Sequence, residues 1–248
     1  MERVINVALG EVGYLEKASK ANLYSKTENA GSKNYTKYAE QMSKYNPGIF
    51  ANGYAWCDTF VDWCMTTAYG ADAALKLIHG WSAYTPTSAG YYKNKGQWHK
   101  TPQKGDQIFF TDSSGGICHT GIVYAVDSEH VYTVEGNTSS KSGVIANGGA
   151  VEKKCYALTY SRIAGYGRPD YSIVQAKNTS TQASTQPTAA VNNKIYNKIE
   201  DCPTWAQPYV KKAMSRGILK GIGEGSLNLD DNKIWCLVII LRATGIMA

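Results

Sequence analysis

The stretch Gly53-Tyr54-Ala55-Trp56-Cys57-Asp58 puts a cysteine where a turn-prone segment passes into an apolar helix. Unpaired backbone N–H groups and the positive end of the helix dipole favour thiolate over thiol at such a place, and the thiolate is the nucleophile. On this stretch alone, the plainer reading of Cys57 as the first core residue of the helix stays open beside it. A thiolate that attacks an amide works with an imidazole, which gives a proton to the departing amine and later helps water attack the acyl-enzyme. His119 has the setting for that role. It follows Ser113-Ser114-Gly115-Gly116-Ile117-Cys118 and precedes Thr120-Gly121-Ile122-Val123, at the mouth of a strand with glycines on either side. His79, His99 and His130 sit in polar or turn-like surroundings and read as surface residues.

An imidazole in this role needs a partner that fixes its tautomer and steadies its charged form. Glu135 ends the apolar run Val131-Tyr132-Thr133-Val134, and two-residue alternation puts it on one face with Val131 and Thr133. His119 shares a face with Gly121 and Val123, so neighbouring antiparallel strands bring the two side chains together, although sequence does not set the register. A solvent-facing strand end is the other reading of Glu135. Asn137, two residues on, is a second candidate for orienting the imidazole or for bonding a polar substrate.

The elements that must position these residues follow from periodicity. Arg3–Leu9 and Ser32–Tyr45 are expected helices, the second with Tyr35, Tyr38, Ala39 and Met42 along one face. A third begins near Cys57, with Phe60, Val61, Cys64, Met65 and Ala68 forming an apolar stripe packed on a sheet. The period then changes. Gln107–Phe110, Gly121–Val126, Val131–Glu135, Ala150–Tyr156 and Ser161–Arg168 are strand candidates separated by turn formers. Helices first and a mainly antiparallel sheet second make an α+β domain. Cysteines 57, 64, 118, 155, 202 and 236 lack the paired C-x2-C spacing of structural zinc, and Cys64, Cys155 and Cys236 read as small buried hydrophobes.

Three segments are expected: a folded domain at 1–171, a linker at 172–193 and a small helical unit at 194–248. The linker, SIVQAKNTSTQASTQPTAAVNN, is too poor in apolar groups to repay chain ordering. In the last segment Trp205, Tyr209, Val210, Ala213 and Met214 recur at helical spacing before Gly217. A loop-like GIGEGSLNLDDNK precedes a second apolar segment from Ile234, and packing of Trp205 on Trp235, or self-association, would complete so small a core.

The net charge of +6 attracts anions without choosing among nucleic acid, anionic membrane and anionic cell wall. No basic run or base-reading helix is present, which disfavours nucleic acid. The apolar run Ile234–Leu241 is far short of the roughly 20 residues that span a bilayer. Eighteen tyrosines suit either sugar stacking or junctions between core and solvent.

Taken in order, GYAWCDTFVDWC at 53–64, PQKGDQIFF at 102–110, HTGIVY at 119–124 and VEGN at 134–137 resemble the CHAP family of cysteine, histidine-dependent amidohydrolases and peptidases. The likeness runs over about residues 1–170. It implies a papain-like α+β hydrolase that cuts amide bonds in bacterial peptidoglycan, often as a phage endolysin. It assigns the nucleophile to Cys57, the base to His119, the acidic orienter to Glu135 and the asparagine partner to Asn137. Some relatives of this kind bind calcium before the nucleophile. Here Asn46-Pro47-Gly48-Ile49-Phe50-Ala51-Asn52-Gly53 lacks the carboxylates a hard cation prefers, so no cofactor is expected. The C-terminal stretch is more weakly similar to a single surface-layer-homology module, which implies binding to a secondary wall polymer. The arginine usual at the start of its last helix is replaced by Ile234-Trp235-Cys236, so homo-oligomer formation through 194–248 stands as the alternative. Met1–Leu9 does not read as a secretory signal. The expectation is synthesis in the bacterial cytoplasm and holin-type release or lysis, or action outside the cell.

The expected chemistry is attack of Cys57 on a peptide carbonyl, with His119, held by Glu135, moving the proton. The oxyanion is expected to meet the Cys57 backbone N–H and a second donor, for which Tyr54 and Asn52 are candidates. Trp56, Trp81 and Trp98 are groove or core residues. The amide is the bond from the muramic lactyl group to L-alanine, or one within the stem or cross-link. Rival readings are an inactive wall-binding protein, a papain-like protease acting on proteins, and a metal–thiolate site built from Cys57, Cys118 and His119.

Overall fold

The computed structural model describes residues 1–174, 196–204, 206–219 and positions 227, 229, 234, 237 and 241. The chain divides into two compact units, Met1–Ala183 and Ser184–Ala248. The first is α+β. Helices α1 (Glu2–Gly10), α2 (Lys37–Met42), α3 (Cys57–Tyr69), α4 (Ala71–Ile78) and α5 (Thr85–Asn94) precede a six-stranded sheet. Its strands are β1 (Trp98–His99), β2 (Gln107–Thr111), β3 (Ile117–Val126), β4 (His130–Thr138), β5 (Ala150–Ala157) and β6 (Ile163–Gly167), in the order β1-β6-β2-β3-β4-β5 with antiparallel pairs throughout.

The core sits between helix α3 and the face of the sheet that carries Phe109, Ile122 and Val134. The predicted stripe of Phe60, Val61, Cys64, Met65 and Ala68 is buried, but so are Asp58, Thr59, Asp62 and Trp63. The helix is therefore enclosed nearly all round, between the sheet and helices α1, α2 and α4, rather than laid on a surface. A second cluster on the other side of the sheet gathers Ile108, Phe110, Val123, Val131, Tyr156 and Tyr166.

Three expectations about this unit need correction. The helix expected over Ser32–Tyr45 is only Lys37–Met42, because Thr36 caps it through a hydrogen bond from the Ala39 N–H and its preceding residues instead pair with Lys17. Cys155 is exposed rather than buried, since on the edge strand β5 it alternates against inward-facing Lys154 and Tyr156. His79, His99 and His130 are each partly exposed, in keeping with their reading as surface residues. His79 holds a left-handed conformation after helix α4, bonds to Gln97 and meets Tyr92 edge-on. At the far end, residues 172–174 form a helical turn with Ile173 and Val174 packed on the main core, so part of the stretch read as linker belongs to the fold. The rest of that linker, from residue 175, lies outside the described residues.

In the second unit a short 3-10 turn at Ile199–Asp201 leads to α6 (Gln207–Ser215), and Tyr196 exchanges backbone hydrogen bonds with Leu229. Val210 and Ala213 are buried with Tyr196, Leu229, Ile234 and Leu241, whereas Met214, placed on the apolar stripe by its spacing, is exposed. Gly217 adopts φ +68° and closes the helix, with the Ile218 N–H returning to the Ala213 carbonyl. Trp205, most of the GIGEGSLNLDDNK loop, Trp235 and Cys236 lie outside the described residues.

Candidate active site

Cys57 is the first residue of helix α3 and only 5% exposed. Trp56 precedes it as N-cap without any side-chain cap, and the first intrahelical bond runs from the Phe60 N–H to the Trp56 carbonyl. The opening N–H groups of the helix thus have no side chain covering them. Trp56 is core rather than groove: it is buried, and its indole N–H donates to Glu16 Oε2 at 2.9 Å, which pins the residue before Cys57.

His119 on β3 and Glu135 on β4 are both fully buried, and His119 Nε2 lies 3.0 Å from Glu135 Oε2. Two glycines make this approach. A Cβ on Gly121 would stand 2.5 Å from Glu135 Cγ and 2.9 Å from the Val134 carbonyl oxygen, so the bare backbone leaves room for the carboxylate. A Cβ on Gly136 would strike Phe60 at 2.6 Å and Trp56 at 2.9 Å, so that glycine lets strand β4 lie against the start of helix α3. The motifs HTGIVY and VEGN therefore carry a steric requirement as well as their polar groups.

The Glu135 carboxylate is held on three sides. The Thr133 hydroxyl donates to Oε1 at 2.6 Å, the Tyr156 hydroxyl to Oε2 at 3.2 Å, and the imidazole takes the third position. Phe110 stacks on His119 with ring centroids 6.0 Å apart. Burial alone would drive the imidazole toward its neutral form, but hydrogen bonding to Cys57 and Glu135, with their charges, outweighs it and raises His119 from its usual 6.5 to about 9. Nδ1, the nitrogen Glu135 does not use, is buried and closes no well-formed hydrogen bond.

Asn137 is not among the hydrogen-bond partners of His119. It sits at φ +57° where the β4–β5 register shifts, and its Oδ1 accepts the Gly149 N–H at 3.2 Å. Its Nδ2 is buried and unpartnered. Asn52 Oδ1 is engaged by the Thr36 N–H at 2.7 Å, while Tyr54 is exposed at the surface. Cys118 is half-buried with an Arg162 Nη2 at 3.7 Å from its sulfur. Among the described residues no group of three or more His, Cys, Asp or Glu is arranged to hold a metal ion, so Cys57, Cys118 and His119 do not form such a set.

Sequence reasoning missed a second buried polar cluster beside Cys57. Asp58 Oδ2 accepts from Ser88 at 2.6 Å and Oδ1 from Gln107 Nε2 at 3.1 Å, and Gln107 also reaches the Thr120 hydroxyl at 3.1 Å. The residue after Cys57 is thereby tied to the residue after His119. One turn on, Asp62 accepts the Ser82 N–H at 3.0 Å. Burial raises the Asp58 carboxyl to about 7, against hydrogen bonds from Ser88 and Gln107 that lower it. Burial and then the Asp58 charge push Asp62 well above the carboxylate range. The signal was present as two aspartates four apart in an apolar helix, but an amphipathic reading sends such a pair to solvent.

A groove of about 630 Å³ is lined by Ala55 and Thr59, two residues to either side of Cys57, and by Trp81. Trp98 is not part of it and packs against Phe109.

Residues 49–137 match the model of the CHAP domain, a span that holds Cys57, His119, Glu135 and Asn137. A CHAP domain is present in this chain, and its presence supports a cysteine-dependent hydrolytic activity on cell-wall material. No curated protein matches the chain. Among solved structures, the crystal structure of Ly7917 is similar at 13% identity with a TM-score of 0.40, and the likeness covers 68% of this chain and 61% of that one. Among the described residues no helix is long and apolar enough to cross a membrane.

Proposed function

We propose that the first unit is a peptidoglycan hydrolase in which Cys57 attacks an amide carbonyl. The observation that carries this is the buried His119–Glu135 pair at 3.0 Å, in a unit that also sets Cys57 as the first residue of helix α3. The Cys57 sulfur bonds to the carbonyl carbon, and the oxyanion takes the Cys57 backbone N–H and a second donor. Nδ1–H of the imidazolium protonates the departing amine, and the C–N bond breaks. Water, losing its proton to His119, then releases the acyl group and restores the thiol pair. Glu135 keeps the imidazole turned and charged without itself taking the proton. Asn137 belongs to this set as the residue that holds the 148–149 backbone and keeps one donor unspent. The bond is either the muramoyl–L-alanine amide or a peptide bond in the stem or cross-link, and release from a phage-infected or lysing bacterium is the proposed route to the wall.

The second unit, with its own small core, is the proposed wall-polymer or self-association module, joined through the apolar-poor stretch after residue 174. The hydrolase reading is tested by following free amino groups released from purified cell walls. Cys57→Ala should lose at least ~10³-fold in rate with its circular dichroism unchanged. A fully active Cys57→Ala chain would end the proposal.

A further inference from the structure

Gln107 is a polar side chain in an apolar stretch of strand. It precedes Ile108, Phe109 and Phe110 on β2, and all four are buried. An amide in such a place costs free energy unless its donors are met, and an apolar side chain of the same length would pack there without that cost. Both hydrogens of Nε2 are met, by Asp58 Oδ1 at 3.1 Å and by Thr120 Oγ1 at 3.1 Å. The Thr120 hydroxyl gives its own proton to the Ile108 carbonyl at 2.7 Å, so it can only accept from Gln107, and the amide has one orientation. Asp58 is closed on its other oxygen by the Ser88 hydroxyl at 2.6 Å. The bridge is buried along its whole length, with Asp58 and Thr120 as inaccessible as Gln107 itself.

The two ends of this bridge are the neighbours of the two residues that the chemistry needs. Asp58 follows Cys57 in the first turn of helix α3, and Thr120 follows His119 on β3. Successive side chains of a strand turn to opposite faces, so Thr120 holds the strand from behind and leaves His119 on its own face with Glu135 and Phe110. Successive residues of a helix stand about 100° apart, so Asp58 anchors the first turn without standing in the place of the Cys57 thiol. The ladder between β2 and β3, with Phe109 opposite Thr120, fixes one strand against the other but not the helix against either. Apolar packing of the helix on the sheet is non-directional, whereas two hydrogen bonds from one amide set a distance and an angle.

Resting on the hydrolase reading, we propose that Gln107 is a positioning residue for that reaction: by bridging Asp58 and Thr120 it fixes the start of helix α3 against strand β3, and with it the spacing of the Cys57 sulfur and the His119 imidazole. Its own hydrogen bonds reach neither reacting group. A displacement of about 1 Å between reacting groups can cost ~10²-fold in rate, so a bridge with no chemistry of its own carries a rate effect.

The test is made on the full chain with Gln107→Met, which keeps the length of the side chain and removes both donors. Release of free amino groups from purified walls at saturating wall concentration should fall ~10–100-fold, and the half-saturating wall concentration should stay where it is, because the groups displaced are those that react and not those that hold substrate. The second readout is labelling of Cys57 by iodoacetamide, with and without His119→Ala. In the unaltered chain His119→Ala should slow the labelling, and in the Gln107→Met chain the same change should matter at least ~3-fold less. A loss of stability alone would lower the melting temperature and leave that coupling in place. Thr120→Val breaks the other end of the bridge and serves where Gln107→Met does not fold, and Thr120→Ser, which keeps the hydroxyl, should recover most of the rate that Thr120→Val loses. Unaltered rates in Gln107→Met or Thr120→Val, a coupling of His119 to Cys57 that persists in full, or a Thr120→Ser as slow as Thr120→Val would overturn the inference and leave the hydrolase reading standing. An unaltered protein that releases nothing from walls would sink that reading and this role with it.

Discussion

Two polar clusters are buried in the first unit, one in the sheet and one in helix α3, and they meet the cost of burial in opposite ways. In the sheet, the Glu135 carboxylate faces an imidazole and two hydroxyls, so a charge is matched by a charge and the proton stays on His119 to about 9. In helix α3, Asp58 and Asp62 have hydroxyl, amide and backbone donors but no cationic hydrogen-bond partner, and burial instead keeps protons on the carboxyls. The same low-dielectric interior thus stores an ion pair where a base is paired with an acid, and holds neutral acids where two acids stand alone. The first arrangement has a charge ready for chemistry. The second ties the sequence around Cys57 to that around His119 through Gln107 and fixes the loop that carries Trp81.

The larger effect should come from breaking the matched cluster. Glu135→Gln removes the charge and the hydrogen bond that help raise His119, so the imidazole loses its proton at lower pH. We expect wall hydrolysis to fall ~10–100-fold and the alkaline limb of kcat/KM, near pH 9 in the unaltered protein, to move toward neutrality. An unmoved limb would mean that Glu135 does not act through the imidazole.

The smaller effect concerns stability in the unmatched cluster. An unfolded aspartate sheds its proton near its ordinary value of about 3.9, whereas the folded carboxyls keep theirs, Asp58 to about 7. The folded state therefore binds more protons between these values, and its stability, full below about pH 4, declines as pH rises toward 7. His119 adds to the same slope higher up, because its raised value contributes stability that is lost as pH climbs through about 9. Asp62→Asn leaves an oxygen to accept the Ser82 N–H but removes the titrating acid. Thermal melts should show it gaining a few degrees at pH 8 and a flatter decline, with a change on the order of 1 kcal/mol or more. A decline as steep as in the unaltered chain would place the titration elsewhere.

What the sequence made legible divides along the same line. Helix α3 and the five longer strands follow from periodicity, and His119 and Glu135 were brought to one face by counting alternation, because those signals are local. The shortened helix α2 was not legible, since its length is decided by a threonine cap and by pairing of residues 30 and 35 with Lys17. Nor was the Asp58–Asp62 cluster, because periodicity reports one buried face and cannot say that neighbours cover the opposite one. Thr133 and Tyr156, which hold Glu135, became visible only once β4 and β5 were aligned. Cys155 shows the converse: its apolar type pointed inward, and the strand's alternation at the sheet edge turned it out.

The account turns on Cys57 as the attacking atom, and alkylation tests that most directly. The full chain is treated with substoichiometric iodoacetamide, the modified cysteine is mapped by mass spectrometry, and wall hydrolysis is followed on the same samples. Activity should fall in step with the fraction of Cys57 labelled, independently of labelling at exposed Cys155, and His119→Ala should slow the labelling of Cys57 alone. Hydrolysis that persists with Cys57 fully alkylated, or that falls in step with Cys118 instead, would contradict it.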